Sequence, residues 1–237
     1  LRMGKFPARA LQLDGDWHVP ASCGVGGPRT KLGGHGSGCI AWMKASDSTL
    51  SNFTYAGLLL EVNETTGHID GKDAGTVTWH EQSKPVAYVE CPDIFPIGNK
   101  FVILASLCTN SLLCDDDDDE CNQLKQSNAY TNEYFVGTLS KGMGFTVERR
   151  GLLDGGQMYA AKSGAAAALD PPGRRLLFAT TGWRYPAGMD ITCRPQIHHI
   201  PRDLRLDDLG RLTISPIPEI AGLRIPSSGM ALSREQV

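Results

Sequence analysis

The chain has 237 residues with 23 basic and 26 acidic side chains, so its net charge is −3. This near balance gives no electrostatic reason to expect a nucleic acid or an anionic membrane as partner. No apolar run approaches the length of a membrane span, and 27 glycines with 14 prolines favour a turn-rich, soluble β protein.

The first part of the chain reads as a series of short strands separated by turns. Strands are predicted at residues 9–13, 17–22, 38–44 and 54–62, with a turn at 14–16 and a glycine-rich loop before residue 38. Turn signals that recur every several residues are typical of antiparallel meanders. We therefore expect one antiparallel unit over residues 8–62.

A second group of strands is predicted around a proline-containing stretch. β-Branched and aromatic residues from 86 to 104 have the composition of buried strands. Pro92, Pro96 and a turn at Gly98-Asn99 are expected to break this stretch into short pieces. Glu90 would then lie where one short strand begins.

Glu90 is the candidate catalytic residue of the chain. Its neighbours Val89, Cys91 and Pro92 remove solvent from the carboxyl group, and desolvation favours the protonated form that a general acid needs near neutral pH. The alternative is a strand-end glutamate that faces water.

Three similar units account for most of the chain. The second runs over residues 86–140 and the third over residues 154–215, and unit starts 60–80 residues apart with about four strands each are typical of propeller blades. A β-sandwich is the alternative from the pattern alone. We expect these units to pack together in one domain.

The seven cysteines show no zinc-binding spacing, and no cofactor or metal site is predicted. The odd count leaves at least one free thiol. Six consecutive carboxylates at residues 115–120 predict a solvated, mobile surface loop, and a Cys114–Cys121 disulfide could close it. Sequons at Asn52 and Asn63 would be glycosylated in a secretory pathway.

Five ordered motifs carry a resemblance to a known family. They are Glu90-Cys-Pro-Asp93, Tyr134-Phe-Val-Gly-Thr138, Leu153-Asp-Gly-Gly-Gln-Met-Tyr-Ala-Ala-Lys-Ser163, Arg174-Arg-Leu-Leu-Phe-Ala-Thr-Thr-Gly-Trp183 and Ile200-Pro-Arg-Asp-Leu204. The chain resembles glycoside hydrolase family 32, the invertases and fructan-acting enzymes, from about Asp14 to Arg224. The resemblance implies part of a five-bladed β-propeller, with about three blades present over residues 1–224 and the family's C-terminal β-sandwich absent. Residues 225–237 would then be a tail or the start of a linker to a missing domain.

The sequence also departs from the family pattern at two motifs. The motif Trp-Met-Asn-Asp-Pro-Asn-Gly, which carries the family's nucleophile, does not occur in these residues. Lys5 or Phe6 stands where the Asp of the family's Arg-Asp-Pro motif is expected. These departures imply an incomplete catalytic site within this sequence.

The resemblance also assigns roles to individual residues. Glu90 would be the acid/base of a retaining, β-fructofuranosidase-like hydrolase that acts on sucrose or fructans. Asp154 would bind sugar hydroxyls, or serve as a turn residue, and Trp183 would pack on a sugar face, or lie in the core. Cys91 would support the strand or lie beside the acid, and Asp93 would orient the loop or line the pocket.

Two functions therefore stay open from the sequence. The first is a glycosidase that releases fructose, with the activity of this chain alone in question. The second is a catalytically incomplete carbohydrate-binding or structural propeller fragment. Many members of the family are secreted or vacuolar, which the resemblance implies here too.

Overall fold

A computed structural model describes residues 2–3, 10–24, 38–47, 49, 51–61, 88–108, 130–140, 144–154, 158–165, 174–181 and 198–223. These residues form thirteen strands in three antiparallel sheets and one short 3-10 helix. The predicted all-β class is confirmed, and the three sheets match a partial β-propeller. The predicted domain boundaries stay predictions.

The first sheet contains the first five strands. They are β1 (Arg2–Met3), β2 (Leu11–Leu13), β3 (Asp16–Gly24), β4 (Gly38–Ala45) and β5 (Phe53–Glu61). The sheet order is β1-β3-β4-β5, and β2 pairs with β3. Cys23 and Cys39 lie directly opposite each other on β3 and β4 and form a disulfide, with their Cα atoms 4.9 Å apart. The sequence alone did not indicate this pairing.

The second sheet follows the simple order β6-β7-β8-β9. Its strands are β6 (Tyr88–Ile97), β7 (Lys100–Cys108), β8 (Tyr130–Leu139) and β9 (Phe145–Leu152). The predicted turn at Gly98-Asn99 joins β6 to β7. The expectation that Pro92 and Pro96 break the stretch into pieces is wrong, because both lie inside the continuous ten-residue strand β6. No strand was predicted for β9.

The third sheet follows the same order, β10-β11-β12-β13. Its strands are β10 (Met158–Ala165), β11 (Arg175–Thr181), β12 (Arg202–Leu206) and β13 (Leu212–Pro216). A 3-10 helix over Pro218–Leu223 follows β13. Within the described part of the chain, no helix is long and apolar enough to cross a membrane.

Two apolar cores lie on the two faces of the second sheet. The core shared with the first sheet includes Ile40, Trp42, Leu60, Ile94, Ile103 and Phe135. The core shared with the third sheet includes Phe95, Val102, Leu104, Met158, Leu177 and Leu204. Burial of each such side chain contributes about 1.5–3 kcal/mol. Because β7 is covered on both faces, its residues 101–105 are an unbroken apolar run rather than an alternating one.

Candidate active site

A β-bulge in β6 sets the orientation of the candidate acid. Glu90 pairs with Ser106 and Asp93 pairs with Leu104, so Cys91 and Pro92 together lie opposite a single residue of β7. Cys91 has a left-handed backbone with a φ of 50°, as the first residue of such a bulge can have. The missing N–H of Pro92 falls where the ladder is already interrupted, which is why proline is tolerated inside β6.

The bulge also changes which face each side chain occupies. In a regular strand, residues three apart point to opposite faces, whereas one inserted residue returns them to the same face. Accordingly Glu90 and Asp93 both contact β10 of the third sheet. Glu90 therefore lies within a strand, at a bulge between two sheets, and not at a strand start as predicted.

Glu90 is half-buried and is held by a tyrosine. The hydroxyl of Tyr159 donates a hydrogen bond to Glu90 Oε2 with an oxygen–oxygen distance of 2.5 Å. This distance is typical of an O–H donor bound to a charged oxygen. The pair joins β6 of the second sheet to the start of β10 in the third.

A second bulge occurs at the matching place in β10. Tyr159 pairs with Thr180 and Lys162 pairs with Phe178, so two residues of β10 again oppose one residue of β11. Ala160 has a φ of 51°, close to that of Cys91 in β6. The same local geometry thus follows Glu90 on one sheet and Tyr159 on the next.

Cys91 is buried beside the candidate acid, and its thiol is free. Burial raises the pKa of the Cys91 thiol, and the charge of Glu90 adds to this effect, whereas Lys162 and a hydrogen bond with Tyr159 oppose it. The thiol therefore stays protonated at neutral pH and packs as a small apolar group.

Asp93 is 1% exposed and fastens the third sheet to the second. Its Oδ2 accepts hydrogen bonds from the Ser163 backbone N–H at 2.7 Å and from the Ser163 hydroxyl at 2.6 Å. Arg175 donates to that hydroxyl at 2.9 Å, and its guanidinium lies 4.4 Å from the centre of the Phe95 ring. Asp93 is thus placed below the surface.

Lys162 forms a further link between the two strands. Its ammonium group donates to the Pro92 carbonyl at 2.7 Å. Burial lowers the pKa of Lys162, while the negative charge of Asp93 partly offsets this effect. Lys162 therefore ties β10 to β6 at the bulge that follows Glu90.

Two buried polar side chains of the second sheet hold the start of β10. Ser106 donates to Asn132 Oδ1 at 2.7 Å and accepts from the Ala160 N–H at 3.2 Å. The Asn132 amide donates to the Met158 carbonyl. Ser106 and Asn132 are each 1% exposed, so the network is shielded from water. The backbone on both sides of Tyr159 is thereby fixed to the second sheet.

Asp154 lies just before β10. Its Oδ2 accepts a hydrogen bond from the Met158 N–H at 2.8 Å, which is the geometry of a turn residue. Asp154 and Glu90 therefore contact neighbouring residues at the start of the same strand. Trp183 lies outside the described residues.

Sequence reasoning identified Glu90, Cys91, Asp93 and Asp154, which the structure brings to one junction between sheets. It missed the polar residues that hold this junction, namely Ser106, Asn132, Tyr159, Lys162 and Ser163. A signal was available for Ser106, because it interrupts the apolar run of β7, whereas Asn132 stands between Thr131 and Glu133 in β8 and gave no such signal. In the part of the chain that the structure describes, no group of three His, Cys, Asp or Glu side chains could hold a metal ion.

The junction has the parts of a proton-transfer site. A half-buried carboxyl group is held by one strong donor, beside the buried Cys91 thiol and near the part-buried Lys162 side chain. Such a carboxyl group is able to deliver a proton to a bound ligand and later to accept one.

Comparisons with known proteins agree with the resemblance seen in the sequence. The family model of the glycosyl hydrolases family 32 N-terminal domain matches residues 72–216. The Bombyx mori GH32 β-fructofuranosidase BmSUC1 is 19% identical with a TM-score of 0.59, and the match covers 91% of this chain and 38% of that one. A family 32 glycoside hydrolase from Bifidobacterium adolescentis is 18% identical with a TM-score of 0.57. That match covers 89% of this chain and 34% of the other. No curated protein matches the chain.

These likenesses support the propeller fold, and the chain spans only 38% of the Bombyx mori enzyme. The family match extends over more than half of the 237 residues. The chain therefore belongs to glycosyl hydrolase family 32, of which it contains part of the N-terminal domain.

Proposed function

We propose that this chain provides the acid/base part of a retaining glycosidase site that releases fructose from sucrose or fructans. The observation that carries this proposal is Glu90, in its Glu-Cys-Pro-Asp motif, half-buried and held by the Tyr159 hydroxyl at 2.5 Å. A variant of the Bombyx mori β-fructofuranosidase has been solved in complex with sucrose, which supports this class of substrate.

The chemistry assigns two steps to Glu90. In the first step its carboxylic acid protonates the glycosidic oxygen while a nucleophilic carboxylate attacks the anomeric carbon. In the second step the Glu90 carboxylate removes a proton from water, which attacks the same carbon and releases the sugar. The family's nucleophile motif does not occur in this sequence, so the attacking carboxylate would come from residues outside it.

The remaining site residues have supporting roles in this proposal. Asp154, just before β10, would bind sugar hydroxyls, and Trp183 would pack against the apolar face of a sugar ring. Cys91 and Asp93 are buried beneath this surface and would hold the strand that presents Glu90.

We also propose that the protein is secreted or vacuolar. The Cys23–Cys39 disulfide supports passage through an oxidising compartment. Asn52 is exposed, although its amide donates a hydrogen bond to Asp47 at 3.0 Å, and it would be a glycan acceptor there. The second sequon residue, Asn63, lies outside the described residues, as do the acidic run and the possible Cys114–Cys121 pair.

A second candidate function is a carbohydrate-binding or structural propeller fragment without catalysis. The missing nucleophile motif favours it, since a retaining glycosidase needs two carboxyl groups. The two candidates differ in one measurable property, which is turnover.

Fructose release from sucrose and inulin tests the proposal. It should be measured for this chain and for a longer product of the same gene that carries the first family motif. Replacement of the general acid, Glu90→Gln, should lower kcat by about 10²- to 10⁴-fold.

Glu148→Gln is the matched control. It changes a surface glutamate that pairs with Lys100 at 2.7 Å, and activity should be unaffected. Full activity in Glu90→Gln would overturn the assignment. Sugar binding by the longer product without any turnover would favour the second candidate.

A further inference from the structure

We propose that a glycan on Asn52 covers the unprotected edge of β5 and keeps two copies of this chain from pairing through it. This inference rests on the proposed passage through a secretory compartment, and it gives the glycan a role that a sequon alone does not imply. β5 is the last strand in the order of the first sheet, so its outer edge has no partner strand within the described residues. Such an edge presents free N–H and C=O groups to any other strand.

The other two sheets protect their outer edges with amino acids. β9 ends the second sheet and carries Glu148, Arg149 and Arg150. β13 ends the third sheet, has only five residues and finishes at Pro216, which lacks an N–H. Charges, short length and proline are the means by which natural sheets prevent edge-to-edge pairing.

β5 has such protection over only part of its length. Residues 56–61 contain two bulges, opposite residues 40–41 and 42–43 of β4, and bulges twist an edge away from a partner strand. Residues 53–55 pair regularly with β4 and include no charged side chain. Phe53 is 38% exposed and Tyr55 is 53% exposed. This stretch therefore has the regular backbone and the aromatic side chains that favour the addition of another strand.

Asn52 directly precedes this unprotected stretch and is presented by an ordered loop. It is exposed, and its carbonyl accepts a hydrogen bond from the Ser46 N–H at 2.9 Å. Its amide donates to Asp47 Oδ2 at 3.0 Å, and a glycosylated amide keeps one N–H for this bond. Thr54, the third residue of the sequon, is exposed as well. Both sequon side chains are thus at the surface beside the edge.

The sugar donor would be a lipid pyrophosphate that carries an oligosaccharide in the secretory pathway. The Asn52 amide nitrogen forms a bond to the anomeric carbon of the first sugar, and the bond from that carbon to the pyrophosphate oxygen breaks. The lipid pyrophosphate leaves, one amide proton is released, and nothing is oxidised or reduced. The product is a bulky, hydrated group directly before Phe53, where it blocks the approach of a second edge strand.

Glycan occupancy is the first test. The chain is expressed behind a secretion signal in a eukaryotic cell and recovered from cells and medium. Peptide N-glycosidase in ¹⁸O-labelled water converts each glycosylated asparagine to a labelled aspartate, which mass spectrometry locates. Asn52 should carry the label, and an unlabelled Asn52 would overturn the proposal. A label at Asn63 alone would show secretory passage without this site, so a failure of the inference is distinguished from a failure of the proposed localisation.

A matched pair of variants at Thr54 tests the covering role. Thr54→Ala removes the sequon and leaves Asn52 in place, whereas Thr54→Ser keeps the sequon. Sedimentation velocity should give a dimerisation constant about tenfold larger for Thr54→Ala, which is equivalent to about one net backbone hydrogen bond. Equal constants for the two variants would overturn the proposal.

A charge on the edge separates pairing through β5 from other association. Addition of Tyr55→Lys to Thr54→Ala should return the dimerisation constant to that of Thr54→Ser, since lysine on an edge strand opposes pairing. Dimers that persist in this double variant would overturn β5 as the interface.

Trimming of the glycan covers the case in which Thr54→Ala does not fold. An endoglycosidase shortens the glycan of the folded wild-type chain to one sugar without any change of sequence. Dimerisation should then increase, and an unchanged dimerisation constant would overturn the proposal. None of these measurements requires turnover, so the proposed hydrolase activity is tested separately.

Discussion

Asp93 is predicted to stabilise the junction between the second and third sheets, and Asp93→Ala tests this. The carboxylate is 1% exposed, and its Oδ2 accepts two hydrogen bonds from Ser163, at 2.7 and 2.6 Å. Each hydrogen bond to a charged group contributes about 1.5–3 kcal/mol, and removal leaves two part-buried donors of Ser163 without this acceptor. The free energy of unfolding should therefore fall by about 3–5 kcal/mol.

Asp93→Asn is the control that separates shape from charge. An oxygen in the position of Oδ2 still accepts both bonds from Ser163, and the amide nitrogen replaces Oδ1, which has no partner among the described residues. The loss should be about 1–2 kcal/mol, the typical cost of burying one unpaired polar group.

Urea unfolding at neutral pH, followed by tryptophan fluorescence and extrapolated linearly to water, measures these differences. A double-mutant cycle with Ser163→Ala isolates the hydroxyl–carboxylate bond, because the Ser163 N–H remains. The coupling free energy should be about 1.5 kcal/mol or more.

If Asp93→Ala lowers the free energy of unfolding by less than about 1 kcal/mol, the carboxylate does not hold the sheets together. Sugar binding that is lost at unchanged stability would then support the alternative, in which Asp93 lines the pocket.

Three further predictions concern the backbone and pH. A Cβ at Gly137 would meet the backbone of the next strand, 2.9 Å from a carbonyl carbon, whereas one at Gly164 would make only an ordinary contact at 3.6 Å. Gly137→Ala should therefore lower the melting temperature by about 6 °C or more, and Gly164→Ala should lower it far less; equal effects would contradict this. Ala160→Gly relieves a φ of 51°, so the free energy of unfolding should stay constant or rise by up to about 1 kcal/mol in chemical denaturation, and a clear loss would contradict the strain argument. The Arg174 guanidinium lowers the pKa of Glu219 from 4.5 to about 2, so its stabilisation is present above pH 4.5 and is lost as pH falls towards 2; the melting temperature of Glu219→Gln should approach that of wild type over this range.

Much of the fold could be predicted from local patterns. β-Branched and aromatic runs with recurrent turns predicted the strands that became β3, β4, β5 and β7, because a pleated surface that packs against a core selects such residues. Strand β9 was missed because Glu148, Arg149 and Arg150 make it look like a surface segment. It is the last strand in its sheet order, and charged side chains are expected on such an edge.

The bulges could not be predicted, because no local signal marks Cys91 or Ala160 as left-handed. Glycine is the residue that usually indicates this conformation, and neither position has one. The same limit explains why Pro92 was taken as a strand breaker. Its place in the ladder depends on the pairing of β6 with β7, which is set by distant residues.

The sequence by itself determined the strand content, the ordered motifs of family 32 and Glu90 as the candidate acid, since these depend on residue types at short spacing. The tertiary structure alone decided what surrounds that acid. Tyr159 meets Glu90 across 69 positions because two bulges and two packed cores bring separate sheets into register. Contacts between sheets follow from strand pairing and packing over the whole domain, and no short stretch of sequence encodes them.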